Sequence, residues 1–202
     1  MQMNNGRLFI LSGPSGCGKD TILKRVLAQI PEVLFSISSI TRPMRSDEIP
    51  GEKYNFISVN EFKDLIQNDG LLEYNIYLGN YYGTPKKPID DAISTGKEII
   101  IEVDVNGASN IRKLYPDAIS IFILPPSIDV LEKRLNDRGT EPQSIIKKRV
   151  IEARSEISRA SEYDYIILND NLDDAVLDLI SIIKSDRLSL IRTKNLINEV
   201  LK

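Results

Sequence analysis

One heptad limits this chain more than anything else in it: Gly13-Pro14-Ser15-Gly16-Cys17-Gly18-Lys19. It stands directly after an apolar run, RLFILS at 7–12, which reads as a buried strand. Directly after it, Ile22, Leu23, Val26, Leu27 and Ile30 recur at helical spacing until Pro31 stops them. Strand, glycine turn and helix in that order make the context of a Walker A phosphate loop, G-x-x-x-x-G-K. Glycines let successive backbone N–H groups converge on one phosphate. The helix behind the turn presents its positive end to the same anion. Lys19 adds a point charge for the outer phosphate oxygens.

The rest of the chain repeats the alternation of strand and helix. Residues 98–103 and 119–124 read as strands, each followed by a helix, at 106–114 and 127–136. Residues 163–168 read as another strand, and the tail from Leu172 as one long amphipathic helix. Such alternation calls for an α/β fold: a three-layer P-loop sandwich with a mostly parallel central sheet, covered on both faces. Two segments break the pattern. Residues 38–84 are rich in Arg, Tyr and Gly, and 137–148 are polar and flanked by arginines. Both are expected to project near the strand ends, where open α/β sheets bind ligands. The expected organisation is a core of 1–37 and 85–202, an acceptor-binding insert of 38–84, and a lid within about 137–150.

Composition narrows the chemistry. At 202 residues and 42% hydrophobic, the chain suits one domain with a sizeable core. A net charge of −3 argues against coating nucleic acid or an anionic membrane. The single cysteine, Cys17, excludes an intramolecular disulfide and fits a reducing compartment. The absence of histidine removes His bases, Ser-His-Asp triads and His-ligated metals. The apolar run at the start is too short for a signal peptide, and no stretch has the length of a membrane span. A cytoplasmic protein is expected.

Within the insert, Arg42 and Arg45 stand three apart in an acidic protein and suit a dianionic phosphate held by planar forks. Tyr54 and Tyr82 can add phenolic donors; the alternative is a solvated loop with packing tyrosines. Glu73, taken alone, reads as an exposed acid at a strand end. Glu102 and Asp104 lie on the same side of a strand end. They can hold Mg²⁺ through water or accept backbone N–H bonds locally. Asp20 occupies the place where the motif expects Ser or Thr. Three readings stand: Asp20 ligates Mg²⁺, Thr21 substitutes for it, or Asp20 serves the helix N-terminus. The Cys17 thiol is either reactive, beside Lys19 and a helix end, or a small residue that fits.

S-S-x-T-R-x-x-R at 38–45, G-E-K-Y-N-F at 51–56, G-N-Y-Y-G-T at 79–84 and I-E-V-D-V-N-G-A at 101–108 follow the Walker loop in order. Together with RLNDRG, KKRV and EYDYIILND they resemble guanylate kinase over nearly the whole chain. The resemblance implies transfer of a phosphoryl group from ATP to GMP, with Mg²⁺ as cofactor. It implies that Gly13 to Thr21 with Arg138 and Asn169 bind ATP. Arg42, Arg45, Tyr54 and Tyr82 would hold the acceptor phosphate, and Ser38, Glu73 and Thr84 would face guanine. Glu102 and Asp104 stand at the acceptor, Asp20 and Asp104 at the metal. Lys19, Arg42, Asp104, Arg138 and Arg149 would be catalytic. Arg134, Lys147 and Lys148 read as helix-surface charges. The chain departs from the family at Asp20, at Pro43, at Ser46-Asp47-Glu48, which lacks a glycine, and at Glu102. Two rivals stay open: another small-molecule P-loop kinase, such as one acting on a ribose phosphate, and a catalytically silent binding module. The apolar surface of the C-terminal helix leaves monomer and homodimer both open.

Overall fold

The computed structural model describes residues 6–45, 48–77, 79–137 and 142–202. Its elements run β1 (Arg7–Ser12), α1 (Lys19–Gln29), β2 (Leu34–Phe35), β3 (Ser38–Ile40), β4 (Tyr54–Phe56), α2 (Val59–Gln67) and β5 (Leu71–Tyr77). Then come β6 (Asn80–Pro85), α3 (Lys86–Ser94), β7 (Glu98–Glu102), α4 (Val105–Leu114), β8 (Ile119–Leu124) and α5 (Ile128–Asp137). The chain ends in α6 (Gln143–Ser158), a 3-10 turn (Ala160–Glu162), β9 (Tyr165–Leu168), α7 (Leu172–Arg187) and α8 (Leu190–Val200). A mostly parallel central sheet takes the strand order β2-β7-β1-β8-β9, with helices on both faces. A second sheet takes the order β4-β3-β6-β5. The α/β expectation holds.

The chain forms two compact units. One contains residues 6–12 and 33–121. Here β1 and β2 flank β7 in parallel, and α3 and α4 pack on β1. All six residues of β1 are buried, as are Ile99, Ile100 and Ile101 of β7. A strand covered on both faces is apolar throughout rather than alternating, and β-branched residues suit it. The second sheet belongs to this unit. Its β5–β6 hairpin is antiparallel, whereas β3 runs parallel to β4. Helix α2 begins with a reciprocal capping box between Ser58 and Glu61.

The other unit contains residues 13–32 and 122–202. Helices α1 and α7 pack together there, as do α5 and α6. The expected single C-terminal helix is two. Helix α7 ends at Arg187, and α8 starts after Ser189, whose backbone is extended. Arg192 of α8 donates to Asp186 of α7 at 2.8 Å, with both side chains over 90% buried. Apart from that arginine side chain, α8 stays half-buried or exposed. Among the described residues no helix is long and apolar enough to cross a membrane.

Candidate active site

The phosphate loop is shaped by its glycines. Gly13 and Gly18 have φ of 147° and 97°, in the region other residues avoid. A Cβ on Gly13 would stand 2.5 Å from the Ile123 carbonyl oxygen, and one on Gly18 would stand 2.3 Å from Asn169 Nδ2. Gly18 is also the N-cap of α1, so the loop turns directly into a helix N-terminus. The Lys19 ammonium lies 2.6 Å from the Gly13 carbonyl and 3.2 Å from that of Pro14, folded over the loop it serves. Asp20 and Thr21 are exposed in the first turn of α1. The Cys17 thiol is fully buried, 3.9 Å from Lys19 Nζ.

Three side chains splint this loop. Asn169 donates from Nδ2 to the Cys17 carbonyl at 2.7 Å and is itself buried. Arg134 donates to the Cys17 carbonyl at 3.4 Å and to the Asn169 carbonyl at 3.1 Å. Arg134 is therefore no plain surface charge, as its position on α5 suggested. Arg149, on α6, donates to Ser15 Oγ at 2.8 Å, which brings a positive charge to the phosphate loop. Arg138 lies outside the described residues.

The other unit holds the residues expected at the acceptor, in two clusters. In the first, Arg42 and Glu48 pair fork to fork, Nη1 to Oε2 at 2.7 Å and Nη2 to Oε1. Hydrogen bonds from Arg42 hold the Glu48 carboxyl down to about 2. In return the Glu48 contact, with the phenols of Tyr82 and Tyr54, raises the Arg42 guanidinium. The Arg42 guanidinium carbon sits 5.4 Å from the Tyr54 ring centre and 5.6 Å from that of Phe56. Arg45 is exposed, its backbone N–H donating to Glu48 at 2.8 Å. The structure thus brings Tyr54 and Tyr82 to the Arg42 cation. Glu48 is a member that the sequence did not single out, since an acid in a polar loop does not declare its partner.

The second cluster joins β5, β6 and α4. Thr84 Oγ1 donates to Glu73 Oε1 at 2.6 Å. Burial raises the Glu73 carboxyl above the ordinary carboxylate range; the Thr84 hydroxyl opposes this and the charge of Asp104 adds to it. Asp104 is the N-cap of α4. Its Oδ1 accepts from the amides of Asn106 and Gly107 at 2.9 and 2.8 Å, and its Oδ2 accepts from Asn75 Nδ2 at 3.2 Å. Asn75 stands two residues from Glu73, on the same side of β5, a neighbour that spacing alone could have flagged. Ser38 is half-buried on β3, in register with Tyr54. Glu102 pairs with Lys53 Nζ at 3.2 Å.

Among the described residues no group of three or more acids or thiols forms a ready-made metal cage. The available donors are hard carboxylate and hydroxyl oxygens. They suit a Mg²⁺ ion that keeps most of its waters and is carried by phosphates.

Residues 5–186 match the family model described as guanylate kinase. The chain belongs to the guanylate kinase family. A guanylate kinase of Carboxydothermus hydrogenoformans is 46% identical over 92% of this chain and 91% of the relative. One from Desulfitobacterium hafniense is 42% identical over 93% of this chain and 94% of the relative. The crystal structure of guanylate kinase from Anaplasma phagocytophilum superposes with a TM-score of 0.77 at 28% identity, covering 93% of this chain and 89% of that one. Membership makes the chain an ATP-dependent nucleoside monophosphate kinase, a transferase with a P-loop fold.

Proposed function

We propose that the chain moves the γ-phosphoryl group of ATP onto the phosphate of GMP, giving ADP and GDP, with the residue roles that follow. The observation that carries this reading is the half-buried Glu73 carboxylate, held at one oxygen by the buried Thr84. Guanine offers N1–H and N2–H₂ as adjacent donors, and an ionised carboxylate accepts both. Adenine offers a lone pair at N1 and would oppose it. A site built on such bonds discriminates by about 10⁴-fold or more.

The loop 13–19 and the N-terminus of α1 take the donor phosphates through backbone N–H groups. Lys19 leaves its own loop carbonyls to reach the outer oxygens. Arg149, already at Ser15, neutralises charge that spreads over the transferring group. Arg138 is assigned the same work by its place in the lid. Arg42 and Arg45, with the phenols of Tyr54 and Tyr82, grip the acceptor phosphate; Arg42 must exchange the Glu48 carboxylate for it. Ser38 assists at the guanine. Asn169 acts through the loop, which it braces beside the donor base. The acceptor oxygen is already anionic, so in-line attack needs no strong general base, and a chain without histidine suffices.

Mg²⁺, held by the phosphates with Asp20 and Asp104 as candidate ligands, would screen the polyanion when bound. Glu102 supports the acceptor side through Lys53. Segment 38–84 is assigned as the acceptor insert and about 137–150 as the lid. The cytoplasm, reducing and rich in ATP, is the proposed compartment, and the protein acts as a monomer or homodimer. A coupled ADP-release assay with GMP, AMP, UMP and CMP tests the reading. Turnover with GMP alone is expected; equal turnover with AMP would overturn it.

A further inference from the structure

Gly107 lies in the first turn of α4 and is buried. Its backbone is not in the left-handed region that glycine alone tolerates well. Inside a helix alanine is the better former, so conformation gives no reason for glycine here. Space does. A Cβ at 107 would meet Glu73 Oε2 at 3.0 Å, Cδ at 3.1 Å and Cγ at 3.3 Å, and these three are its nearest neighbours. The Glu73 side chain therefore lies directly on the bare backbone of α4. It has little freedom to retreat. Its other oxygen is held at 2.6 Å by Thr84, and three atoms along the arm, not one flexible tip, would be pushed at once.

We propose that Gly107 is a specificity-determining position of the acceptor site: its missing side chain is the space in which the Glu73 carboxylate lies, and bulk there misdirects the group that reads the purine edge. The inference rests on the assignment of Glu73 to guanine. It adds that the choice of base is set jointly by β5 and by the first turn of α4. Gly107 touches no substrate; it acts through Glu73.

Gly107→Ala is the test, read by steady-state kinetics with GMP and AMP and by thermal unfolding. A displacement of a few tenths of an ångström at the reading group lowers kcat/KM for GMP by about threefold to tenfold. The GMP-to-AMP ratio narrows by a similar factor, because AMP gains nothing from the carboxylate. The KM for ATP stays within about twofold, and the melting temperature follows the balance of alanine's helix preference against the crowding at Glu73. Shortening the arm relieves the clash. Glu73→Asp therefore costs less in the Gly107→Ala background than in the parent, a non-additive pair. If Gly107→Ala lowers the melting temperature, recovery on adding Glu73→Asp supports the proposal, and no recovery overturns it. An unchanged GMP-to-AMP ratio in folded Gly107→Ala, or strict additivity with Glu73→Asp, overturns it as well. Failure of the underlying reading looks different: there, Glu73→Gln itself leaves guanine selection intact.

Discussion

Arg42 and Glu48 are each other's counter-ion: the two terminal guanidinium nitrogens donate to the two carboxylate oxygens, and both side chains are more than four-fifths buried. The pair forms a charge-assisted fork of the kind that also fits phosphate. Because Glu48 is depressed from 4.5 to about 2, its contribution to folding is complete above about pH 4.5. That contribution disappears as pH falls toward about 2, where the folded form also takes up the proton. Chemical denaturation of the parent and of Glu48→Gln should therefore differ at pH 7 and converge near pH 2 to 3. A stability gap that persists unchanged into acid would contradict the pairing.

Removing the fork from the other side tests the acceptor phosphate. Arg42→Lys keeps a charge but loses bidentate geometry. Loss of one charged hydrogen bond, about 1.5–3 kcal/mol, corresponds to a rise of about tenfold to a hundredfold in the KM for GMP. The KM for ATP should move little. Initial-rate kinetics with each substrate varied in turn decides it.

Glu73 gives a pH signature of opposite sign. Its carboxyl is raised, so the folded protein holds the proton to higher pH than an exposed glutamate does. A protonated Glu73 cannot accept from both guanine donors, so kcat/KM for GMP should fall on acidification at a pH above the usual carboxylate range. Folding carries the reverse trend. The stabilising neutral form is fully present below the ordinary value and is lost as pH rises through the raised one. Glu73→Gln should erase the acid limb and weaken guanine selection, leaving ATP binding in place.

Lys19→Met removes the point charge from the phosphate loop without removing its bulk. A fall in kcat of about 10²-fold to 10³-fold, the scale for losing one preorganised donor, is expected in single-turnover assays. Retention of near-parent kcat would remove Lys19 from the transfer step.

Arg192 and Asp186 are a buried pair between the last two helices. Arg192→Ala strands a buried carboxylate, and such breaks cost about 3–5 kcal/mol. Replacing both residues by apolar ones of similar size should recover most of that loss in equilibrium unfolding.

The central strands and the phosphate loop were legible in the sequence because each has a strong local signature: isoleucine runs, and glycines before a helix. What escaped depends on contacts between distant positions. Arg134 reads as a surface charge on α5 because its partners, the carbonyls of Cys17 and Asn169, are backbone groups far away in sequence. The break after Arg187 escaped because apolar spacing continues through it while an extended Ser189 resets the helix. The part of Glu48 was hidden for a similar reason, since an acid in a polar loop carries no mark of what it will face.

The first turn of α4 hangs on the same carboxylate that serves as a candidate metal ligand, since Asp104 caps the amides of Asn106 and Gly107 and also holds Asn75. Truncating it would loosen the floor beneath Glu73, and a dead Asp104→Ala enzyme would mimic the loss of a catalyst. Asparagine can still receive the two amide protons while carrying no charge. At this position Asp104→Asn is the substitution that separates anchorage from chemistry.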